Sequence, residues 1–155
     1  MRARRGSWLA LFGAAFLGLT GAASASRPPN TAVGGGYAAI SVGQATAQGT
    51  TAHIPLSCRG SRGATCFVIV RMFVRETRKG KVIPLSDTPR YKHTSLLDVG
   101  ATTVSLGVGR SYTLPLPLYP DAKRLLHRLH TLPAHIEVQN GHFTVVGRTT
   151  VTFGT

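Results

Sequence analysis

The chain has 155 residues, which leaves room, once a leader is set aside, for one domain able to bury a real core. Eighteen Lys and Arg stand against five Asp and Glu, a formal net charge of +13. Such a balance favours acidic partners and leaves few carboxylates for chemistry that needs a pair of them.

Arg2, Arg4 and Arg5 open the chain, an apolar run follows over residues 8 to about 19, and a small-residue stretch closes on Ala23-Ser24-Ala25. That order defines a secretory signal peptide over residues 1–25, with cleavage expected after Ala25. The rival reading is an uncleaved anchor, but the apolar run falls short of the ~20 residues a spanning helix needs. No second apolar segment follows, so no transmembrane segment is expected after cleavage. The product is expected to be secreted, extracellular or at the cell surface, in an oxidising space without ATP or reduced nicotinamide. It keeps 130 residues and a formal charge of +10, having lost three arginines.

Residues 26–36 are rich in Pro and Gly without apolar rhythm and read as a flexible leader, so the domain is expected over residues 37–155. From Tyr37 the pattern has period two. Residues 39–42 and 53–58 alternate, and residues 67–78 form a long β-branched and aromatic run. Arg78-Lys79-Gly80-Lys81 is a turn, and residues 82–85 return from it. Cys58 and Cys66, an even pair in an exported chain, are expected to form a disulfide; a metal would need more ligands than nearby His53. Closing so short a loop is worth ~2.5 kcal/mol on the chain-entropy account.

Residues 84–100 are the least regular part, either a long loop or a hairpin insertion, with residues 96–99 as the best strand candidate. In residues 112–118, Tyr112, Leu114, Leu116 and Leu118 share one face while Pro115 and Pro117 fall on the other. Prolines give no N–H to a ladder, so this is a sheet edge, blunted against aggregation. Residues 120–129 change period and put Ala122, Leu125, Leu126 and Leu129 on one helical face, with Asp121 suited to the helix start and Arg128 to its end. Residues 134–139 and 143–153 are strands around the hairpin signal Asn140-Gly141. About seven antiparallel strands and one short helix before the last two make an all-β sandwich.

The order of Cys58 and Cys66, the stretch from Leu106-Gly107-Val108-Gly109 to Leu118, the helix Asp121-Ala122-Lys123-Arg124-Leu125-Leu126 and the strand Leu132-Pro133-Ala134-His135-Ile136-Glu137-Val138 resembles a known family. This is the Ig-like or fibronectin-III-like β-sandwich repeats of exported proteins in high-GC actinobacteria. The resemblance covers roughly residues 39–153 and implies an Ig-like sandwich without catalytic residues. Pro115 and Pro117 stand where that family tends to carry basic residues, and the 84–100 stretch is longer than usual.

Three functional classes follow. The first is a non-catalytic Ig-like module for binding or structure at the cell surface. Its cations Arg71, Arg75, Arg78, Lys79, Lys81, Arg90 and Lys92 would hold an anionic cell-envelope polymer, with another surface protein as the other partner. The second is a secreted hydrolase with Asp87, His93 and Asp98 meeting in residues 84–100. No G-x-S-x-G elbow frames a serine, and of the five carboxylates, Glu137 among them, Glu76 and Asp121 fit surface roles beside basic residues, Asp121 also the helix start. The third is an extracellular metal binder using His127, His130 and His135. No cofactor is implied. Nucleic acid is not an expected partner, since only Tyr91, between Arg90 and Lys92, forms an exposed basic–aromatic cluster.

Overall fold

The computed structural model describes residues 37–155 together with the backbone of Thr31–Ala32. The expected signal peptide, residues 1–25, lies outside the described residues. In chain order the elements are β1 (Thr31–Ala32), β2 (Tyr37–Val42), β3 (Thr46–Gln48), β4 (Thr51–Gly60), β5 (Thr65–Thr77) and β6 (Val82–Ile83). A 3₁₀ helix (Leu85–Arg90) follows, then β7 (Thr94–Gly107), β8 (Ser111–Pro117), α1 (Pro120–Leu129), β9 (Thr131–Asn140) and β10 (Val145–Gly154). Seven of these strands have six or more residues, and every described pairing is antiparallel. The fold is an Ig-like antiparallel β-sandwich with its helix before the last two strands.

The first sheet has β4 at its centre, with β8 on one side and β2 and β3 in line on the other, and β1 beyond β2. The second runs β7, β5, β9, β10, with β6 continuing the line of β9 along β5. Period-two alternation sends one face of each strand inward. Ile54 and Leu56 of β4 and Leu114 and Leu116 of β8 meet Val68, Val70 and Met72 of β5, Ile136 and Val138 of β9, and Phe153 of β10. Each such fully buried side chain contributes about 1.5–3 kcal/mol. The disulfide Cys58–Cys66 joins β4 to β5 and so ties the two sheets at one end.

Helix α1 carries the chain from the first sheet to the second. Pro120 occupies its first turn, and Ala122, Leu125 and Leu126 are buried. Leu129, expected on the buried face, is 38% exposed. The helix ends there because His130 turns to φ 61°, the left-handed region, and swings the chain into β9.

Three other expectations change. Thr31–Ala32, within the expected flexible leader, pairs with Ala38 and Tyr37 as β1. Residues 84–100 are not one irregular loop: they form the 3₁₀ helix, a short link and the first half of β7, which contains the expected strand 96–99 and pairs with β5 along its whole length. At the Asn140-Gly141 hairpin the left-handed position falls on Phe143 (φ 60°), and β10 starts only at Val145. As expected from Pro115 and Pro117, β8 is an edge, pairing with β4 alone among the described strands.

Candidate functional site

The register fixes where the cations go. Thr77, the last residue of β5, pairs with Thr94, the first of β7. The turn carrying Arg78, Lys79 and Lys81 and the residues leading into β7, Arg90 at the end of the 3₁₀ helix and Lys92 on the link, therefore emerge together at the pole opposite the disulfide. All five side chains are exposed. Helix α1 crosses between the sheets at this same pole and adds Lys123, Arg124 and Arg128, with Arg124 paired to Asp121. Five of the seven cations singled out in the sequence thus share one surface. Arg71 and Arg75 do not: they stand on the outward face of the second sheet.

That outward face holds a cleft built from several elements. In β9, Leu132, Ala134, Ile136 and Val138 point into the core, so His135 and Glu137 point out. Cross-strand pairing sets Phe73 beside His135, Arg71 beside Glu137, Thr150 beside His135 and Arg148 beside Glu137. Yet His135 is only 6% exposed. Ile83 of β6, paired with Arg75, is 1% exposed on this same face, apart from the main core, and leads into the 3₁₀ helix. Residues 83–90 therefore form a strap on the outside of the sheet. Between strap, β5, β9 and β10 lies a cleft of about 580 Å³, lined by Phe73, Arg75, Leu85, His135, Glu137 and Arg148 among others.

The polar groups here are unevenly satisfied. Arg71 Nη2 donates to Asp98 Oδ2 at 2.6 Å, and Arg148 Nε to Glu137 Oε1 at 3.0 Å. Arg75 has no carboxylate partner among the described residues; its Nη1 donates to Thr94 Oγ1 at 2.9 Å, and its buried Nε has no partner. Both ring nitrogens of His135 are buried without a hydrogen bond. An orphaned buried donor or acceptor costs about 1–3 kcal/mol. Burial, reinforced by the nearby Arg75 charge and opposed by Glu137, holds the His135 imidazolium below its ordinary pKa. The ring is neutral at pH 7.

The other expected constellations do not assemble. Asp98, on β7, is engaged by Arg71 of β5, Asp87 lies on the 3₁₀ helix with Ser86 Oγ 3.4 Å away, and His93 is exposed on the link before β7. No hydrogen bond joins these three. His127 and His130 are exposed at the end of α1, whereas His135 lies under the strap. Among the described residues no group of three His, Cys, Asp or Glu side chains could hold a metal ion. Sequence reasoning missed the grouping of Phe73, Arg75, His135, Glu137 and Arg148. Alternation in residues 132–138 was the available signal, since it turns His135 away from the core and therefore away from the helix histidines.

No family model matches the chain, and no curated protein matches it. Among solved structures, the chain is similar to part of DesR, a β-glucosidase from Streptomyces venezuelae in complex with D-glucose. The identity is 14% and the TM-score 0.41, over 76% of this chain and 15% of that one. A GH3 β-glucosidase from Bifidobacterium adolescentis is similar at 16% identity and TM-score 0.38, over 81% of this chain and 18% of that one. The chain therefore spans under a fifth of either enzyme.

Proposed function

We propose that this chain is a secreted, non-catalytic Ig-like module that holds acidic envelope polymers at the cell surface by charge. The supporting observation is the shared pole of Arg78, Lys79, Lys81, Arg90 and Lys92, which the fold gathers from two separate segments. Clustered exposed cations raise the local concentration of a polyanion and give attachment that weakens with salt. The Cys58–Cys66 disulfide fits an oxidising compartment. No helix among the described residues is long and apolar enough to cross a membrane.

The test is retention of the exported protein on cell walls and on an immobilised acidic polysaccharide across a salt series. Retention is expected to fall steeply with salt. The triple variant Arg78→Gln, Lys79→Gln, Lys81→Gln is expected to flatten that dependence while leaving the urea unfolding midpoint in place. Salt-independent retention, or a triple variant that binds like the parent, sinks the reading.

A further inference from the structure

We propose that the cleft beneath the strap is a binding site for a single carboxylate group, received by the Arg75 guanidinium and a ring N–H of His135. This goes beyond the surface attachment above, since Arg75 lines the cleft and is not among the five cations of that pole.

Orphaned polar atoms carry the inference. Among the described residues, the buried side-chain polar atoms without a partner are Arg75 Nε, Thr88 Oγ1 and the two ring nitrogens of His135. All of them belong to the strap or to the two strands beside the cleft. Buried polar groups in folded proteins are paired almost without exception, so a cluster of unpaired ones marks a place that something else completes. His135 is 94% shielded from solvent and lines the cleft.

Charge selects the guest. Arg148 is balanced by Glu137 and Arg71 by Asp98, while Arg75 is balanced by nothing among the described residues. With His135 neutral, the cleft holds an excess of one positive charge. A carboxylate brings one negative charge and two oxygens, matching a guanidinium edge and one imidazole N–H. A phosphate dianion would bring a second charge that nothing here offsets. The cleft volume of about 580 Å³ accommodates a body the size of a sugar ring or an amino acid, with Phe73 and Leu85 as apolar walls.

Entry requires the strap to move, and it is weakly held. The 3₁₀ helix Leu85–Arg90 has no buried residue, and β6 joins β5 through only two residue pairs. An oxygen reaching the shielded nitrogens of His135 therefore displaces Leu85–Arg90, and that movement is a second readout.

The experiment is NMR titration of the isotopically labelled exported protein with sodium acetate and with sodium D-glucuronate. Sodium chloride at equal ionic strength and inorganic phosphate are run in parallel. Saturable shifts are expected at His135 and across Leu85–Arg90 with the carboxylates. Arg75→Gln is expected to weaken binding about tenfold or more. His135→Phe should do the same while filling its space and removing the orphaned nitrogens, so loss of folding does not confuse the outcome. Glucuronate binding more tightly than acetate points to an acidic sugar unit as the source; equal binding points to small free carboxylates. The triple turn variant keeps carboxylate binding, which separates failure of polymer attachment from failure of this site. Shifts reproduced by chloride, tighter binding of phosphate, no saturable shift, or variants that bind like the parent would each overturn the proposal.

Discussion

Phe73 and His135 face each other across neighbouring strands with ring centroids 5.7 Å apart, and the histidine offers no hydrogen bond in return for its burial. The pair makes stability depend on pH. Because the folded-state pKa lies below the ordinary 6.5, the unfolded chain takes up a proton that the folded chain refuses. Stability is therefore full above 6.5, declines as pH falls through that value, and levels off below the lowered folded-state pKa. His135→Phe is expected to remove this part of the slope and, at neutral pH, to match or exceed the parent by about 1 kcal/mol. Urea midpoints of both proteins on either side of 6.5 decide it; parallel pH profiles would refute the assignment.

A second prediction concerns the seam between the sheets. A Cβ added at Gly147 of β10 would sit 2.4 Å from Cγ2 of Val42 in β2. Gly147→Ala is expected to cost about 1–3 kcal/mol by overpacking. Adding Val42→Ala should return part of that loss, a coupling that a double-mutant cycle measures directly. Additive effects would show that the two strands do not press on each other there.

The last hairpin supplies a contrasting pair of substitutions. Asn140 Oδ1 accepts from the backbone N–H of His142 at 2.9 Å and of Thr144 at 3.0 Å, so Asn140→Ala should cost about 1–2 kcal/mol. Phe143 is 73% exposed and held at φ 60°. Asparagine tolerates that conformation better than a bulky ring, so Phe143→Asn should gain about 0.5–1 kcal/mol. Thermal melts of the two variants should move in opposite directions.

Cys58 and Cys66 are eight residues apart and both are buried. Reduction should lower unfolding free energy by about 2.5 kcal/mol, the loop-closure entropy returned to the unfolded chain. Denaturant titrations with and without reductant measure it, and coincident curves would mean the bridge adds no stability.

Much of this architecture was legible wherever one strand face is buried and the other wet. Tyr112 to Pro117 alternates cleanly, and the prolines mark the free edge that β8 occupies. Strand β7 was harder to read because most of its 14 residues are exposed or half-exposed, so Ala101, Thr102 and Thr103 carry little contrast between faces. The cleft was hidden for a different reason. Alternation shows that His135 turns outward, but only the return of residues 83–90 over the sheet buries it. That return has no periodic signature. Cation clustering at one pole likewise depends on the Thr77–Thr94 register, which joins residues 17 positions apart in the chain.

The opposite poles of the sandwich also set a direction. Tyr37 enters beside Gly60, next to the disulfide, whereas Gly154 leaves beside Thr131 at the end where the lysines and arginines gather. Ten residues of β4 or β9 span roughly 33 Å at strand rise. Tyr37 therefore stands a full strand's length from the charged tip, while Gly154 lies at it, so the described domain starts and finishes at opposite poles.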